Sequence, residues 1–391
     1  MTPAARFQAA IEILDDVIAA ARDDGPPADV IVTRYFKTRR HAGSGDRRAV
    51  RELVFRAIRR SAERPASGRA AILGLAQDDA ALLDLFGQVR GPAAIADGEQ
   101  GSRAAVVPEW LEAEISPLVE RAEWPALLER APLDLRVNIA RATRDDLLGQ
   151  FPGAQPTRIS PWGLRLPSDT RIDNHPAFAE GLVEVQDEGS QLIALACQPR
   201  DDQRILDLCA GGGGKALALA AAAPGAEILA TDTNRSRLSK LAPRADKARA
   251  QIETRLLDPG RELEALADWT GTADVVLVDA PCSGSGTWRR NPEGRWRLTP
   301  DRLERLVRVQ AQLLEIGAEL VPPGGSLVYA VCSILTAEGE RQVGAFLARR
   351  SSWVAQATPI DAGRSSGMGR LLVPGLDGTD GFFVARLNRP C

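Results

Sequence analysis

Cysteine and histidine are scarce in this chain, and their scarcity removes several kinds of chemistry at once. The five cysteines (Cys197, Cys209, Cys282, Cys332 and Cys391) are odd in number and far apart, with no CxxC pair, so neither a disulfide framework nor a zinc site is expected. The two histidines, His41 and His175, have no other catalytic group beside them, which leaves a Ser-His pair or a His-rich metal centre without support. Lysine is also rare, at four residues. Reactive groups are therefore expected among Cys, Asp and Lys. No apolar run approaches the roughly 20 residues of a membrane span. The N-terminal stretch MTPAARFQAAIEILDDVIAAARDD sets Glu12, Asp15 and Asp16 within its apolar period, the pattern of an amphipathic helix and not of a signal peptide. The expectation is a cytoplasmic protein without membrane or metal partners.

What is present is an ordinary globular composition, 44% apolar and 26% charged over 391 residues, enough for two or three domains. The net charge of −3 conceals a local excess of base. Between Arg34 and Arg60 ten basic residues, Arg39 and Arg40 among them, face only Asp46 and Glu52, a net of +8. A second cluster, Arg289, Arg290, Arg295 and Arg297 against Glu293, nets +3. Such density is the electrostatic footprint of a polyanion partner, set against the plainer reading of a solvated helix face.

Hydrophobic periodicity divides the chain. Residues 1–130 read as successive helices; RRAVRELVFRAIRR puts Val50, Leu53, Val54, Ala57 and Ile58 on one face. Further helices are expected at AAILGLAQDD, ALLDLFGQVR and PEWLEAEISPLVERA. Residues 131–185 read as a small α/β module that opens on the alternating strand of Leu133, Leu135, Val137 and Ile139. From 186 to 391 apolar strands (ILDLCA, EILATD, IETRLLD, DVVLVDAP, SLVYAVCS) alternate with helical stretches, which predicts an α/β fold with a parallel, doubly wound sheet. Such a sheet binds ligands beyond the carboxyl ends of its strands.

The first of those ends is ILDLCAGGGGKALALA, in which the glycines permit a tight turn and close approach of a ligand to the backbone. It is not a P-loop, because Lys215 is followed by Ala216. Asp232, 21 residues beyond Gly211, is placed to accept hydrogen bonds from ribose hydroxyls, and Asp258 to hold an adenine amino group. Either acid also suits a helix N-cap. The set favours an adenosine-containing ligand without separating NAD from S-adenosylmethionine.

Cys197 and Cys209 read as buried structural thiols. Cys282 and Cys332 differ, because each ends a central strand where the crevice opens, and each is followed by Ser. A helix N-terminus after either one is expected to lower its pKa. DAPCSGSGTWRRNPEGRW, GGSLVYAVCSI, DLCAGGGGK and DGFFVARL together resemble the Sun/Fmu family of RNA cytosine-C5 methyltransferases. LRVN and VEVQDEGSQ match the pattern just upstream, and RRAVRELVFRAIRR is similar to the family's N-terminal NusB-like domain.

The resemblance implies a class I methyltransferase with a Rossmann-like sheet at 186–391, a linker domain at 131–185 and an all-α, RNA-binding NusB-like domain at 1–130. It implies S-adenosyl-L-methionine as cofactor, held by Cys209, Ala210, Gly211, Gly212, Gly213, Gly214, Lys215, Asp232, Arg237, Asp258 and Asp279. Cytosine carbon 5 is a poor nucleophile until a thiolate adds to carbon 6, which is covalent catalysis. By resemblance Cys332 is that nucleophile, Cys282 serves product release, Asp279 holds ring nitrogen 3 and the exocyclic amine, and Lys215 acts electrostatically. The substrate implied is RNA, ribosomal RNA foremost, and the protein a monomer. Phosphate contacts are expected from Arg39, Arg40, Arg289 and Arg290, with Trp288 or Trp296 either stacking on a base or packing in the core. The target base must leave its stack to reach a cleft.

The glycine loop departs from the family's usual Ala-x-Pro-Gly-Gly-Lys-Thr: this chain has glycine where the Pro stands and Ala216 where the Thr stands. Losing the Pro is expected to loosen the loop. An RNA-binding scaffold without catalysis is therefore the competing reading. An amino-group methyltransferase would carry a different loop from Asp-Ala-Pro-Cys, and a nicotinamide oxidoreductase leaves both thiols unexplained.

Overall fold

The computed structural model describes residues 1–39 and 42–391, so Arg40 and His41 lie outside the described residues. The chain divides into two units: Met1–Ile115 with Arg121–Glu129 and Thr287–Pro300, and Ser116–Glu120 with Arg130–Gly286 and Asp301–Cys391.

The first unit is helical. Its main helices are α1 (Pro3–Arg22), α2 (Ala28–Lys37), α3 (Ser44–Arg60) and α4 (Gly68–Gln77). The apolar period read from the sequence is the buried stripe: Phe7, Ile13, Leu14 and Val17 of α1 pack with Val50, Val54, Ala57 and Ile58 of α3 and Ile72 of α4. Each such residue contributes about 1.5–3 kcal/mol by leaving water. Gly68 lets α4 close on α1, since a Cβ there would lie 2.2 Å from the Ile11 carbonyl oxygen.

Two expected helices are shortened. The helix Ala80–Leu83 takes in only the first three residues of ALLDLFGQVR, and the rest is turn, with Gly87 and Arg90 at positive φ (77° and 66°). PEWLEAEISPLVERA becomes two 3₁₀ turns, Glu109–Glu114 and Arg121–Leu127, because the residue before Pro117 is pushed out of the α region.

The arginine cluster at 289–297 belongs to this helical unit and completes its helix ends. Arg295 is almost fully buried and donates to Ile58 O (2.5 Å), Arg59 O (3.2 Å) and Val106 O (2.7 Å), capping α3. Arg297 donates to the carbonyls of Ala20, Gly25 and Pro26 after α1, and Glu293 accepts from Ala28 N (3.0 Å) at the start of α2. Each charge has the sign that the local helix dipole favours. Trp296 joins the core and donates from Nε1 to Ser61 O (2.8 Å), and Trp288 is 1% exposed. Both indoles are core side chains. Base stacking is corrected for both, because the packing leaves no open ring face.

In the second unit, among the described residues, thirteen strands form two sheets. The smaller has the order β2-β3-β1-β4, from β1 (Leu133–Val137), β2 (Gln155–Pro156), β3 (Gly163–Leu166) and β4 (Val183–Val185), all antiparallel. The larger contains β5 (Arg204–Asp207), β6 (Glu227–Asp232), β7 (Glu253–Leu256), β8 (Val275–Asp279), β9 (Ser326–Val331), β10 (Val354–Gln356), β11 (Arg364–Ser366), β12 (Gly369–Leu372) and β13 (Phe382–Asn388). Its order is β11-β12-β13-β9-β8-β5-β6-β7, with β10 paired to β13. β9 through β7 run parallel, as the sequence predicts, and β10 to β13 add an antiparallel edge. From β5 the chain steps to β6 and β7 on one side, then returns to β8 and β9 on the other. That reversal opens a crevice beyond the carboxyl ends of β5 and β8.

Burial explains why β8 and β9 read as unbroken apolar runs: Val275 to Val278 and all six residues of β9 are buried. Pro300–Leu320 covers the sheet with Leu303, Leu313, Leu314, Ile316 and Leu320. Gly317 brings that helix close, since a Cβ would meet Leu327 at 2.8 Å.

Candidate active site

The parallel register pairs Asp279 of β8 with Ala330 of β9. Cys282 lies three residues past the first and Cys332 two past the second, so the loops leave the sheet at one height. Gly286 N donates to Cys332 O (3.1 Å), tying the two turns. The result is a pair of half-buried thiols with Sγ atoms 3.3 Å apart. The hydrogen bond to Cys332, then burial, holds the Cys282 thiol well above its ordinary range. The expected helix N-terminus is absent after both thiols: a 3₁₀ turn, Ser285–Thr287, follows Cys282, and the helix past Cys332 begins only at Glu340. The predicted lowering is corrected for the Cys282 thiol.

Lys215, in the first turn of Gly214–Ala222, donates from Nζ to Asp279 Oδ2 (2.7 Å). Burial works against the ammonium, but Asp279, with smaller help from Cys332 and Asp207, outweighs it and holds Lys215 above its usual value. The four residues predicted to be catalytic thus meet at the ends of β8 and β9 and at the helix after β5. Beneath them lies Asp207, the last residue of β5, which is fully buried. No side chain hydrogen-bonds either of its carboxylate oxygens, and the donor that faces them is the main-chain N–H of Ala216. Burial first, then the charge of Asp279, pushes it up to about 7.

The glycine loop is held from several sides. Gly211 and Gly213 adopt φ of +57° and +82°, and a Cβ on Gly213 would strike Leu241 at 2.2 Å. Asp232 Oδ2 accepts from Gly211 N (2.8 Å) and Oδ1 from Asn234 N (2.7 Å). Ala210 N donates to Thr231 O (2.8 Å), Arg244 to Gly212 O, and buried Arg136 to Gly214 O (2.6 Å). Side chains do the work expected of the missing proline, so the loop is anchored, not loosened. Arg237 is exposed against Gly211, and Asp258 is exposed just beyond β7. Cys209 is half-buried, its thiol raised well above the ordinary range by burial and by the acids around it, an unreactive group.

The residues expected at RNA belong to the helical unit. Arg39 is engaged: it stacks over Tyr35 (3.6 Å), donates to Tyr35 O (3.2 Å) and reaches Glu12 (3.5 Å). Arg289 is buried and Arg290 half-buried. Arg60 pairs with Asp78 (2.6 Å), while Arg34, Lys37, Arg48 and Arg51 stay exposed. The basic footprint is smaller than the sequence count, because several guanidinium groups are committed to carbonyls and acids.

Sequence reasoning missed Asp207 and Glu338. Glu338, fully buried, accepts from Ser283 N (2.8 Å), Ser283 Oγ, Ser333 Oγ (2.6 Å) and Gln310 Nε2 (2.9 Å). The available signal was the repeated Cys-Ser: each site thiol precedes a serine that binds this carboxylate.

A glycine cradle of positive φ, with a buried carboxylate beside it that no side chain pairs, has the donor and acceptor set for an adenosine-bearing cationic amino acid, and S-adenosylmethionine fits that description. The family model for the 16S rRNA methyltransferase RsmB/F matches residues 194–388. Ribosomal RNA small subunit methyltransferase B of Xylella fastidiosa is 36% identical over 300 residues, covering 73% of this chain and 69% of the relative. Among solved structures, PH0851 shares the fold with a TM-score of 0.76 over 99% of both chains at 21% identity. NSun6 from Pyrococcus horikoshii, solved with SFG, gives a TM-score of 0.64 at 19% identity over 72% of this chain and 98% of its own. With the expected motifs gathered at one crevice and a relative this similar over most of both lengths, the chain belongs to the RsmB/F family of 16S rRNA methyltransferases.

Proposed function

We propose that the chain methylates carbon 5 of a cytosine in ribosomal RNA through a covalent Cys332–cytosine intermediate, with S-adenosylmethionine as methyl donor. The observation that carries this reading is the pair of thiols 3.3 Å apart beside the Lys215–Asp279 pair. The scaffold reading is less favoured, because the altered glycine loop remains anchored and both thiols stand at the crevice.

Gly211 to Gly214, Asp207 and Asp232 are the residues to hold the cofactor, which when bound supplies an electrophilic methyl group. Cys332 adds to carbon 6, giving carbon 5 enamine character. Asp279 holds ring nitrogen 3 and the exocyclic amine, and Lys215 steadies both Asp279 and the attacking sulfur by charge. Cys282 keeps its proton and offers it as a hydrogen bond to the sulfur of Cys332. After methyl transfer that proton passes to solvent, and the Cys282 thiolate, a strong base because its pKa is so raised, takes the carbon 5 proton while the carbon 6–sulfur bond breaks and Cys332 leaves as thiolate. Exposed Arg34, Lys37, Arg48 and Arg51, with Arg290, supply phosphate contacts. Ribosomal RNA as substrate sets the protein in the cytoplasm.

The test is a trapping experiment. Cys282→Ala should accumulate an RNA–protein adduct that survives denaturing electrophoresis, while Cys332→Ala should form none and yield no bisulfite-resistant cytosine. An adduct in the Cys332 variant would reverse the assignment of roles.

A further inference from the structure

Two loops that leave different strands have no intrinsic reason to keep their sulfurs in contact. Backbone pairing ends at Asp279 and Val331, short of both cysteines. Beyond that point Gly286 N meets Cys332 O and the Ser285 hydroxyl meets Ser333 and Ile334 N, but the group that binds the residue directly after each thiol with full charge is one carboxylate. Glu338 Oε1 accepts from Ser283 N (2.8 Å) and Gln310 Nε2 (2.9 Å), and its Oε2 from the hydroxyls of Ser283 and Ser333 (2.6 Å for the latter). Ser283 directly follows Cys282, and Ser333 directly follows Cys332. Gln310 also donates to Pro281 O (2.9 Å), the residue before Cys282. Glu338 is itself fixed from below, where the Tyr329 hydroxyl donates to its main-chain oxygen (2.7 Å). A carboxylate with no exposed surface that gathers four donors is costly to bury unless all four are made, which gives the clamp a single arrangement.

We propose that Glu338 is a positioning residue that holds the two site thiols side by side by clamping the serine after each. It touches neither substrate nor cofactor and acts through the two turns. Its negative charge also raises the Cys282 thiol, after the larger effects of the hydrogen bond to Cys332 and of burial. The charged or titratable groups that face Cys282 include Cys332, Glu338 and Tyr329, and Lys215 in turn interacts with Cys332.

The turnover consequence rests on the roles given above to the two thiols, but the placement is tested without RNA. Phenylarsine oxide bridges two adjacent thiols, forming two As–S bonds and releasing water. The full-length parent should take one equivalent across Cys282 and Cys332, located by peptide mass spectrometry. Glu338→Gln keeps the volume but replaces acceptors by an amide, and should bind the arsenical at least about tenfold more weakly. In the folded variant, checked by its denaturant midpoint, the pH midpoint of Cys282 alkylation should also move downward. Glu338→Asp keeps the charge and should restore most of that midpoint. Ser333→Ala removes one arm and serves if the glutamine variant fails to fold; it should bind the arsenical several-fold more weakly. Parent-like arsenical binding and alkylation in Glu338→Gln, or parent-like binding in Ser333→Ala, overturns the proposal. If the shifts appear but Cys282→Ala accumulates no RNA adduct, the clamp stands and the catalytic reading falls.

Discussion

Arg295 in the helical unit and Asp207 at the end of β5 are both buried ionisable side chains, and they are treated in opposite ways. Arg295 spends its donors on the carbonyls that end α3 and on Val106, so its charge, though disfavoured by burial to a pKa of about 9, is fully occupied within the fold. Asp207 has no side-chain partner for either oxygen and only the main-chain N–H of Ala216 facing it. A protein tolerates an unsatisfied buried group where something else is to complete it, and satisfies those that serve architecture alone. The contrast separates two uses of charge that look alike in sequence.

The largest test of that contrast is Arg295→Met, which leaves several carbonyls unpaired and should cost about 3–5 kcal/mol of stability, read from denaturant midpoints. A neutral outcome would show that the cap is dispensable and the two residues are not different in kind. Asp207→Asn should do the reverse. The folded carboxyl titrates near 7 and the unfolded one near 4, so between those values the native state holds a proton that the unfolded chain has lost, and stability falls as pH rises. The Asn variant should therefore gain stability over the parent by up to about 4 kcal/mol at pH 8, with the gain shrinking towards nothing near pH 4. A constant difference across pH would mean that Asp207 is not carrying this penalty. In the same variant, cofactor affinity measured by calorimetry should fall about tenfold or more if the carboxylate awaits a cationic ligand.

A finer comparison lies within the basic segment. Arg48 is exposed, whereas Arg39 is stacked on Tyr35 and reaches Glu12. Reversing charge at Arg48 should weaken RNA binding and reduce the salt slope by about one phosphate equivalent. Reversing Arg39 should act less on the slope and instead cost roughly 0.2–1 kcal/mol of stability through its surface contacts. Parent-like slopes in both variants would remove both residues from the RNA interface, and equally reduced slopes would mean that Arg39 touches phosphate as Arg48 does.

Much of the site was legible in the sequence, because each piece sits where an apolar strand ends and a loop begins. Cys282, Cys332, Asp279, Lys215 and the glycines were found that way, and the fold gathers them at one crevice. Asp207 was passed over because an acid within an apolar run reads as part of the strand. Glu338 was passed over because nothing in its own neighbourhood distinguishes it from a helix-start acid. Trp296 and the arginines around it read as a nucleic-acid surface, since composition reports charge and aromaticity but not whether a carbonyl already holds them.

By itself the sequence determined periodicity and punctuation: which stretches become helix or strand, where the parallel sheet turns, and which side chains stand at its ends. These follow from local sterics and from the spacing of apolar residues, which any segment carries without its neighbours. Only the tertiary structure decided which charges are spent. A guanidinium or carboxylate is free or committed according to what lies within hydrogen-bond reach, and those partners, as with Arg295 and Ile58 or Glu338 and Ser283, come from segments distant in the chain.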